Sequence, residues 1–258
     1  MKFATAAARH QRVLALLRDR GEIRASSLVN ELGVTAMTVW RDLKSIEEQG
    51  LLRRVRGGAL PAAAGEGEPD FETKATAAGK AKARIAAAAV REFVHEGDVL
   101  ALEGGTTVAA LVDALPESRI SVMTNSLPVA LRIREKRPSL PVRVVGGWLS
   151  AISGNTTGPG ALKEARKERV SVCFLSATGW DPAHGPMDPN PLEIEVKRAF
   201  AECAGQVVLL MDSRKFTVTS TSVMIHPRRL SAVVTDVRPP KSVAAQLRNA
   251  GVRLVVAG

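Results

Sequence analysis

The chain has 258 residues, 45% of them hydrophobic, and 36 Lys+Arg against 26 Asp+Glu give a formal net charge of +10. That length suits a small domain followed by a medium one, and the apolar content excludes a disordered chain. The positive balance points to a polyanionic partner: residues 1–60 hold eleven basic against six acidic side chains, a net +5 equal to that of the whole remainder. Lys2 to Arg24 has no unbroken apolar run of the signal-peptide kind, and no stretch approaches the ~20 residues that span a bilayer. The expectation is a cytoplasmic protein with no membrane partner. Cys173, in an apolar strand-like run, and Cys203, in a predicted helix, read as buried thiols and not as a disulfide framework.

In chain order, Ala6 to Arg20 predicts a helix whose apolar face carries Val13, Leu14, Leu16 and Leu17, with Gly21 as its stop. Ser26–Leu32 predicts a second, short helix. Gly33 permits a turn, and Thr35 caps a third helix from about Ala36 to Gln49. At 100° per residue, Val39, Leu43 and Ile46 share a core-facing stripe within about 60°. Met37, Arg41 and Lys44 fall opposite, flanked by Thr38 and Trp40. A long, cationic, hydrogen-bonding outer face is what a helix needs to sit in a major groove. Arg53, Arg54 and Arg56 beside Gly57-Gly58 then predict a basic β-wing against the DNA backbone. Any one of these charges could be ordinary solvated surface; the turn, cap, outer face and wing together favour double-stranded operator DNA. The expected DNA-contacting set is Thr35, Met37, Thr38, Trp40, Arg41, Lys44, Arg53, Arg54 and Arg56.

Residues 61–70, PAAAGEGEPD, have linker composition, which divides the chain into 1–60, a linker at 61–70 and a second domain at 71–258. Thr73 to Val94 predicts one long Ala-rich helix. Beyond it, apolar runs at 99–103, 120–124, 142–145, 170–177, 207–212, 232–236 and 253–257 alternate with helical stretches at 108–115, 127–136, 192–204 and 242–250. That alternation predicts an α/β domain with a mainly parallel sheet covered on both faces. Gly104-Gly105-Thr106-Thr107 follows the first strand and precedes a helix, an arrangement that turns backbone N–H groups and hydroxyls towards an anion; alone it is equally a packing turn. Polar or glycine-rich ends recur at Thr124-Asn125-Ser126, Gly146-Gly147, Ser176-Ala177-Thr178-Gly179 and Asp212 to Phe216, where open α/β sheets form their ligand crevice. Lys197 reads equally well as an i,i+4 surface partner of Glu193, Asn125 as a helix cap, and His184 as a solvated loop histidine.

The run VTAMTVWRDLKSIEEQGLLRRVRGGAL resembles the signature of the DeoR family of regulators, with its T-x-R-R-D-L core, glycine, basic strand and H-G-G-A wing. Trp40 stands where the family usually has its first arginine, and Arg56 where it has histidine. The second domain resembles the DeoR sensor domain, whose fold is shared with ribose-5-phosphate isomerase. Carried over, the resemblance implies that Gly104, Gly105, Thr106 and Thr107 hold the phosphate of a phosphorylated sugar, with Asn125, Gly146, Gly147, Thr178, Lys197 and Lys215 lining the rest. Glu103 replaces the acid of the family's D-S-G-T-T, and Thr178 replaces the acid of G-A-D-G, which serves proton transfer in the related isomerases. Thr178 cannot be a carboxylate base. The resemblance therefore implies a sugar-phosphate-controlled regulator, by family default a repressor of carbohydrate genes. No catalytic residues, cofactor or metal are expected. A two-fold operator predicts a homo-oligomer, at least a dimer. The rival readings are an isomerase-like enzyme with an accessory DNA-binding domain, and a DNA-binding protein whose second domain only oligomerises.

Overall fold

A computed structural model of the protein describes residues 5–48, 52–61 and 71–258. Helix α1 spans Ala6–Arg20; Thr5 accepts a hydrogen bond from the Ala8 N–H at its start, and Gly21 closes it at φ +71°. After the two-residue strand β1 (Ile23–Arg24) come α2 (Ala25–Leu32) and α3 (Ala36–Glu48). Gly33 turns the chain between them at φ +64°, and the Thr35 hydroxyl accepts from the Thr38 N–H. Strands β2 (Leu52–Val55) and β3 (Gly58–Pro61) form an antiparallel hairpin that pairs with β1 in the order β1-β3-β2. A side chain at Gly58 would place its Cβ 2.0 Å from the Ile23 carbonyl oxygen, so only glycine lets the hairpin close on β1. Val39, Leu43 and Ile46 point inward, as their spacing predicts, onto Val13, Leu17, Leu28, Leu32 and Leu52. This is a winged helix-turn-helix.

Residues 62–70 of the expected linker lie outside the described residues, while Pro61 closes β3. The long helix predicted over 73–94 is instead two: α4 (Phe71–Thr76) and α5 (Gly79–Phe93), separated where Ala78 adopts a left-handed φ of +57°. The remaining elements are β4 (Val99–Leu102), α6 (Thr106–Ala109), α7 (Leu111–Ala114), β5 (Ser121–Thr124), α8 (Leu127–Lys136), β6 (Val142–Val144), β7 (Trp148–Leu149), β8 (Thr156–Thr157), α9 (Gly158–Ala165), β9 (Val170–Ser176), β10 (Gly179–Asp181), β11 (Gly185–Asp188), α10 (Pro191–Cys203), β12 (Ala204–Leu210), β13 (Ser222–Val223), β14 (Ala232–Thr235), α11 (Lys241–Asn249) and β15 (Arg253–Val256).

The seven apolar runs form one sheet in the order β15-β14-β12-β9-β4-β5-β6, with every neighbouring pair parallel. Alternation along each strand splits the core in two. Leu100, Leu102, Val122, Val172, Phe174, Val208 and Val234 pack with α5, α7 and α8. Ala101, Met123, Cys173, Leu175, Leu209 and Val233 face α9, α10 and α11 on the other side. Burial on both faces is why these strands are continuous apolar runs. Both cysteines are free and buried. Among the described residues no helix is long and apolar enough to cross a membrane.

The strand order fixes where a ligand belongs. From β4 the chain steps outward to β5 and β6, then returns to place β9 on the other side of β4 before continuing to β12, β14 and β15. The carboxyl ends of β4 and β9 therefore flank the topological switch point, where open α/β sheets leave a crevice.

Candidate functional site

On the winged helix-turn-helix, α3 presents Met37, Arg41 and Lys44 outward, Met37 being 82% exposed. Thr35 and Thr38 join hydroxyl to hydroxyl at 3.0 Å at the start of the helix. Trp40 is half-buried and packs on the domain core, so the ring is shared between core and surface. On the wing, Arg53, Arg54 and Arg56 are exposed. Arg54 is partly committed: its backbone N–H donates to Glu47 at 2.7 Å and its Nε to the same carboxylate at 2.6 Å. These bonds hold the Glu47 carboxyl below its usual range, the backbone N–H contributing most, and they fasten the wing to the end of α3. Arg41, Arg53 and Arg56 have no ion pair among the described residues.

One acid in this region faces inward. Asp42 accepts two hydrogen bonds from the Arg9 guanidinium, at 2.6 and 3.0 Å, with both side chains buried and His10 Nε2 3.3 Å away. The pair joins α1 to α3 and sets how the DNA-facing helix is carried. Sequence reasoning placed the Asp of the R-D-L run in no role; its signal was an acid beside the apolar stripe of an otherwise basic helix.

In the second domain, a small cavity lies at the switch point. It is lined by Glu103, Gly104, Gly105 and Thr106 after β4, by Ser176, Ala177 and Thr178 after β9, and by Lys74, Ser153, Asn155, Asp188, Glu193, Lys197 and Lys215. Gly104 and Gly105 are required here by close approach: a Cβ would fall 1.8 Å from Asn155 Oδ1 and 1.8 Å from Ser176 Oγ, respectively. Lys197 is buried, not a surface partner of Glu193. Its Nζ meets Asp188 at 2.6 Å, Glu103 at 3.2 Å and the Ser176 carbonyl at 3.2 Å. Burial alone would lower this ammonium's pKa, but Asp188, Glu103 and Glu193 outweigh it and hold the group protonated. Glu103 also accepts from the Ser176 N–H and hydroxyl, both at 3.0 Å. Glu193 accepts from Ser153 Oγ at 2.7 Å and Asn155 Nδ2 at 3.1 Å.

Opposite this carboxylate side stand cations. Lys215 donates to the Ala177 carbonyl at 2.7 Å, and burial lowers its pKa, with Lys74 and Lys197 adding repulsion against the opposing pull of Asp212. Just behind, buried Lys82 donates to the Lys74 carbonyl, and desolvation, with Lys215 next, lowers it to about 8. Asn155 Oδ1 is buried without a hydrogen-bond partner, the kind of atom a ligand hydroxyl satisfies.

The expected effector residues divide by distance from the switch point. Gly104, Gly105, Thr106, Thr178, Lys197 and Lys215 come together around the cavity. Thr107 lies one position further, fully buried with its hydroxyl unpartnered. Asn125 follows β5 and does not line the cavity; its amide donates to the Thr156 carbonyl at 3.1 Å, while Ser126 caps α8. Gly146 and Gly147 follow β6, two strands from the switch point, where Gly147 lies against Thr157 and Ala161. His184 is exposed and meets Asp181 at 2.9 Å. Lys74, Ser153, Asn155 and Asp188 were absent from the sequence-derived set.

A winged helix-turn-helix followed by a doubly covered parallel sheet with a polar switch-point cavity defines a transcription regulator with a DNA-reading head and a sensor. Residues 9–62 match the DeoR-like helix-turn-helix domain, and residues 78–237 match the DeoR C terminal sensor domain. An uncharacterised helix-turn-helix transcriptional regulator of Bacillus subtilis is 30% identical over 89% of this chain and 88% of its own length. The glycerol-3-phosphate regulon repressor of Escherichia coli is 30% identical over 95% of this chain and 97% of its own. The chain belongs to the DeoR family. Among solved structures, ribose 5-phosphate isomerase A from Neisseria gonorrhoeae aligns over 54% of this chain and 53% of its own at 16% identity, with a TM-score of 0.38. That overlap is too loose to carry the fold assignment, which rests on the strand order.

Proposed function

We propose that the operator affinity of this regulator is set by a phosphorylated sugar held in the switch-point cavity. The observation that carries the reading is the cavity's division into two chemistries. Gly104, Gly105 and Thr106, with Lys74 and Lys215, offer backbone donors, a hydroxyl and ammonium groups to a phosphate. Glu103, Asp188, Glu193 and Asn155 offer acceptors to sugar hydroxyls. The cavity is narrow, about 30 Å3, and partly open to solvent. We place the movement that would widen it for a sugar phosphate in one wall. The lightest wall is α4, a six-residue helix with no buried side chain that carries Lys74 and adjoins the left-handed turn at Ala78.

On the DNA side, α3 enters the major groove with Met37, Thr38, Trp40, Arg41 and Lys44 towards the bases. Thr35 and the wing's Arg53, Arg54 and Arg56 lie towards phosphates. Two heads on a two-fold operator make the working form at least a dimer.

The test is a thermal-shift panel of sugar phosphates and their unphosphorylated counterparts, followed by operator titrations with and without the stabilising compound. Coupling between the two sites of about 1–3 kcal/mol is expected. Gly105→Ala, whose new Cβ would clash with Ser176, should remove that response and leave basal operator affinity near wild type. Stabilisation by no phosphorylated sugar would reject the proposal. Turnover of an aldose phosphate would favour the isomerase reading, which the locking of Glu103 and Asp188 onto Lys197 opposes.

A further inference from the structure

We propose that Lys82, on α5, forms with Lys215 an anion subsite at the back of the cavity, and that this subsite takes a doubly charged oxyanion. The subsite rests on the sugar-phosphate reading of the cavity and specifies the charge of the group that is taken.

Charge is settled unevenly around the cavity. On one side Lys197 is matched by Glu103 and Asp188. On the other, Lys82 is only 4% exposed, yet among the described residues its ammonium meets no carboxylate and donates only to the Lys74 carbonyl of α4. Part-buried Lys215 likewise donates only to the Ala177 carbonyl, at 2.7 Å. An ammonium has three N–H donors, so each of these lysines keeps donors to spare. The charged groups that face Lys82 are Lys74 from α4, and Asp212, Arg214 and Lys215 from the segment after β12. Asp212 is already bonded to Arg214 at 2.9 Å. Asp236, which follows β14, accepts from the Ser213 N–H at 2.7 Å and lies 3.9 Å from Arg84. On α5 itself, Lys80 and Arg84 are exposed.

An ammonium buried without a counter-charge is penalised. Both lysines carry that mark: desolvation, then the repulsion of Lys215, brings Lys82 to about 8, and burial lowers Lys215 as well. Two under-neutralised ammonium groups, in a corner whose carboxylates are committed elsewhere, match the charge of about −2 on a phosphate monoester. Neither a neutral hydroxyl nor a singly charged carboxylate would match both. Access runs through α4, which has no buried side chain and ends beside the left-handed Ala78. The Ala78 carbonyl accepts the Lys82 N–H at 3.1 Å, so one lysine fastens both the turn and the helix before it. With α4 displaced, the Lys82 ammonium exchanges the Lys74 carbonyl for an anion oxygen. The anion favours the charged ammonium, so binding near pH 8 takes up a proton from solvent.

Inorganic sulfate is the probe, because it stays doubly charged wherever lysine titrates. Lysine labelled with 13C at Cε lets NMR follow the ammonium groups of the full chain, with the Lys82 signal assigned by its loss in Lys82→Arg. When sulfate replaces chloride at equal ionic strength, the Lys82 midpoint should rise by at least about one pH unit, equivalent to about tenfold preference of sulfate for the charged form. Sulfate should also raise the melting temperature of the unsubstituted chain and of Lys80→Met more than that of Lys82→Met. Its general salting effect is common to all three, so the difference reads the site. A Lys82 midpoint that stays in place, or a Lys82→Met protein stabilised as much as the unsubstituted chain, overturns the subsite. A sugar phosphate that stabilises both proteins equally overturns it too, while leaving the cavity reading intact. A Lys82 response to sulfate with none to any sugar phosphate supports the subsite and rejects the sugar.

Discussion

The two halves of the molecule handle charge in opposite directions. In the winged helix-turn-helix the polar residues of interest point outward, and one buried pair, Arg9–Asp42, braces the scaffold behind them. In the sensor they point inward, and Lys197 with Glu103 and Asp188 forms a buried ionic cluster that is itself part of the cavity wall. A face that must meet a polyanion keeps its cations exposed to solvent. A cavity that must discriminate among small ligands fixes its charges in advance and holds each with several bonds.

Removing one partner from each buried cluster should break the comparison most sharply. Lys197→Met leaves Glu103 and Asp188 buried without their cation, and should cost the sensor about 4 kcal/mol. Asp42→Ala strands Arg9, and should cost the DNA-reading domain about 3 kcal/mol. Differential scanning calorimetry should show each variant lowering its own domain's transition; a common loss in both would mean that the halves unfold as one unit. Next in size, Arg41→Ala should weaken operator binding by about 1–3 kcal/mol with no change in melting temperature, and wild-type affinity should fall steeply with added salt. Operator titrations at two salt concentrations check both.

A pH experiment sharpens the sensor side alone. Lys82 has its pKa lowered to about 8 in the folded protein, against an ordinary 10.5. Between those values the unfolded chain binds the extra proton, so this group's contribution to stability rises with pH across that window. Urea unfolding at pH 7.5 and 9.5 should show the rise in wild type and a smaller one in Lys82→Met. The smallest effect is expected at Thr107, whose hydroxyl is buried and unpartnered. Thr107→Val keeps the shape and removes the unmet hydrogen bond, so stability should be unchanged or higher by up to about 1 kcal/mol.

The same contrast governs what could be read from the amino acids alone. Val39, Leu43 and Ile46 reveal themselves through helical spacing and the seven apolar runs through their continuity between polar or glycine-rich ends, and each forms its expected element. The break at Ala78 does not, because nothing in an Ala-rich stretch marks one alanine as left-handed. Helix α9 begins Gly158-Pro159-Gly160, which reads as a turn. Gly104 and Gly105 were legible as glycines between a strand and a helix. Asn155, against Gly104, was not, and Ser176 was legible only as a polar strand end and not as the neighbour of Gly105, because the steric reason for those glycines lies far along the chain. Glu193 and Lys197 have the spacing of a surface pair; only the burial of α10 turns them towards a cavity. Distance from the switch point, a property of strand order, then separates Thr178 and Lys215 from Asn125, Gly146 and Gly147.

The narrow cavity also bears on tempo. Where a wall must move to admit a sugar phosphate, only the fraction of molecules in which it has moved can bind, and apparent affinity falls in proportion to that fraction. If opening precedes capture and is slow, the observed association rate climbs with effector concentration and then levels off at the opening rate. The regulator would then average its signal over time: a brief pulse of metabolite passes unrecorded, and only a sustained supply changes occupancy of the operator.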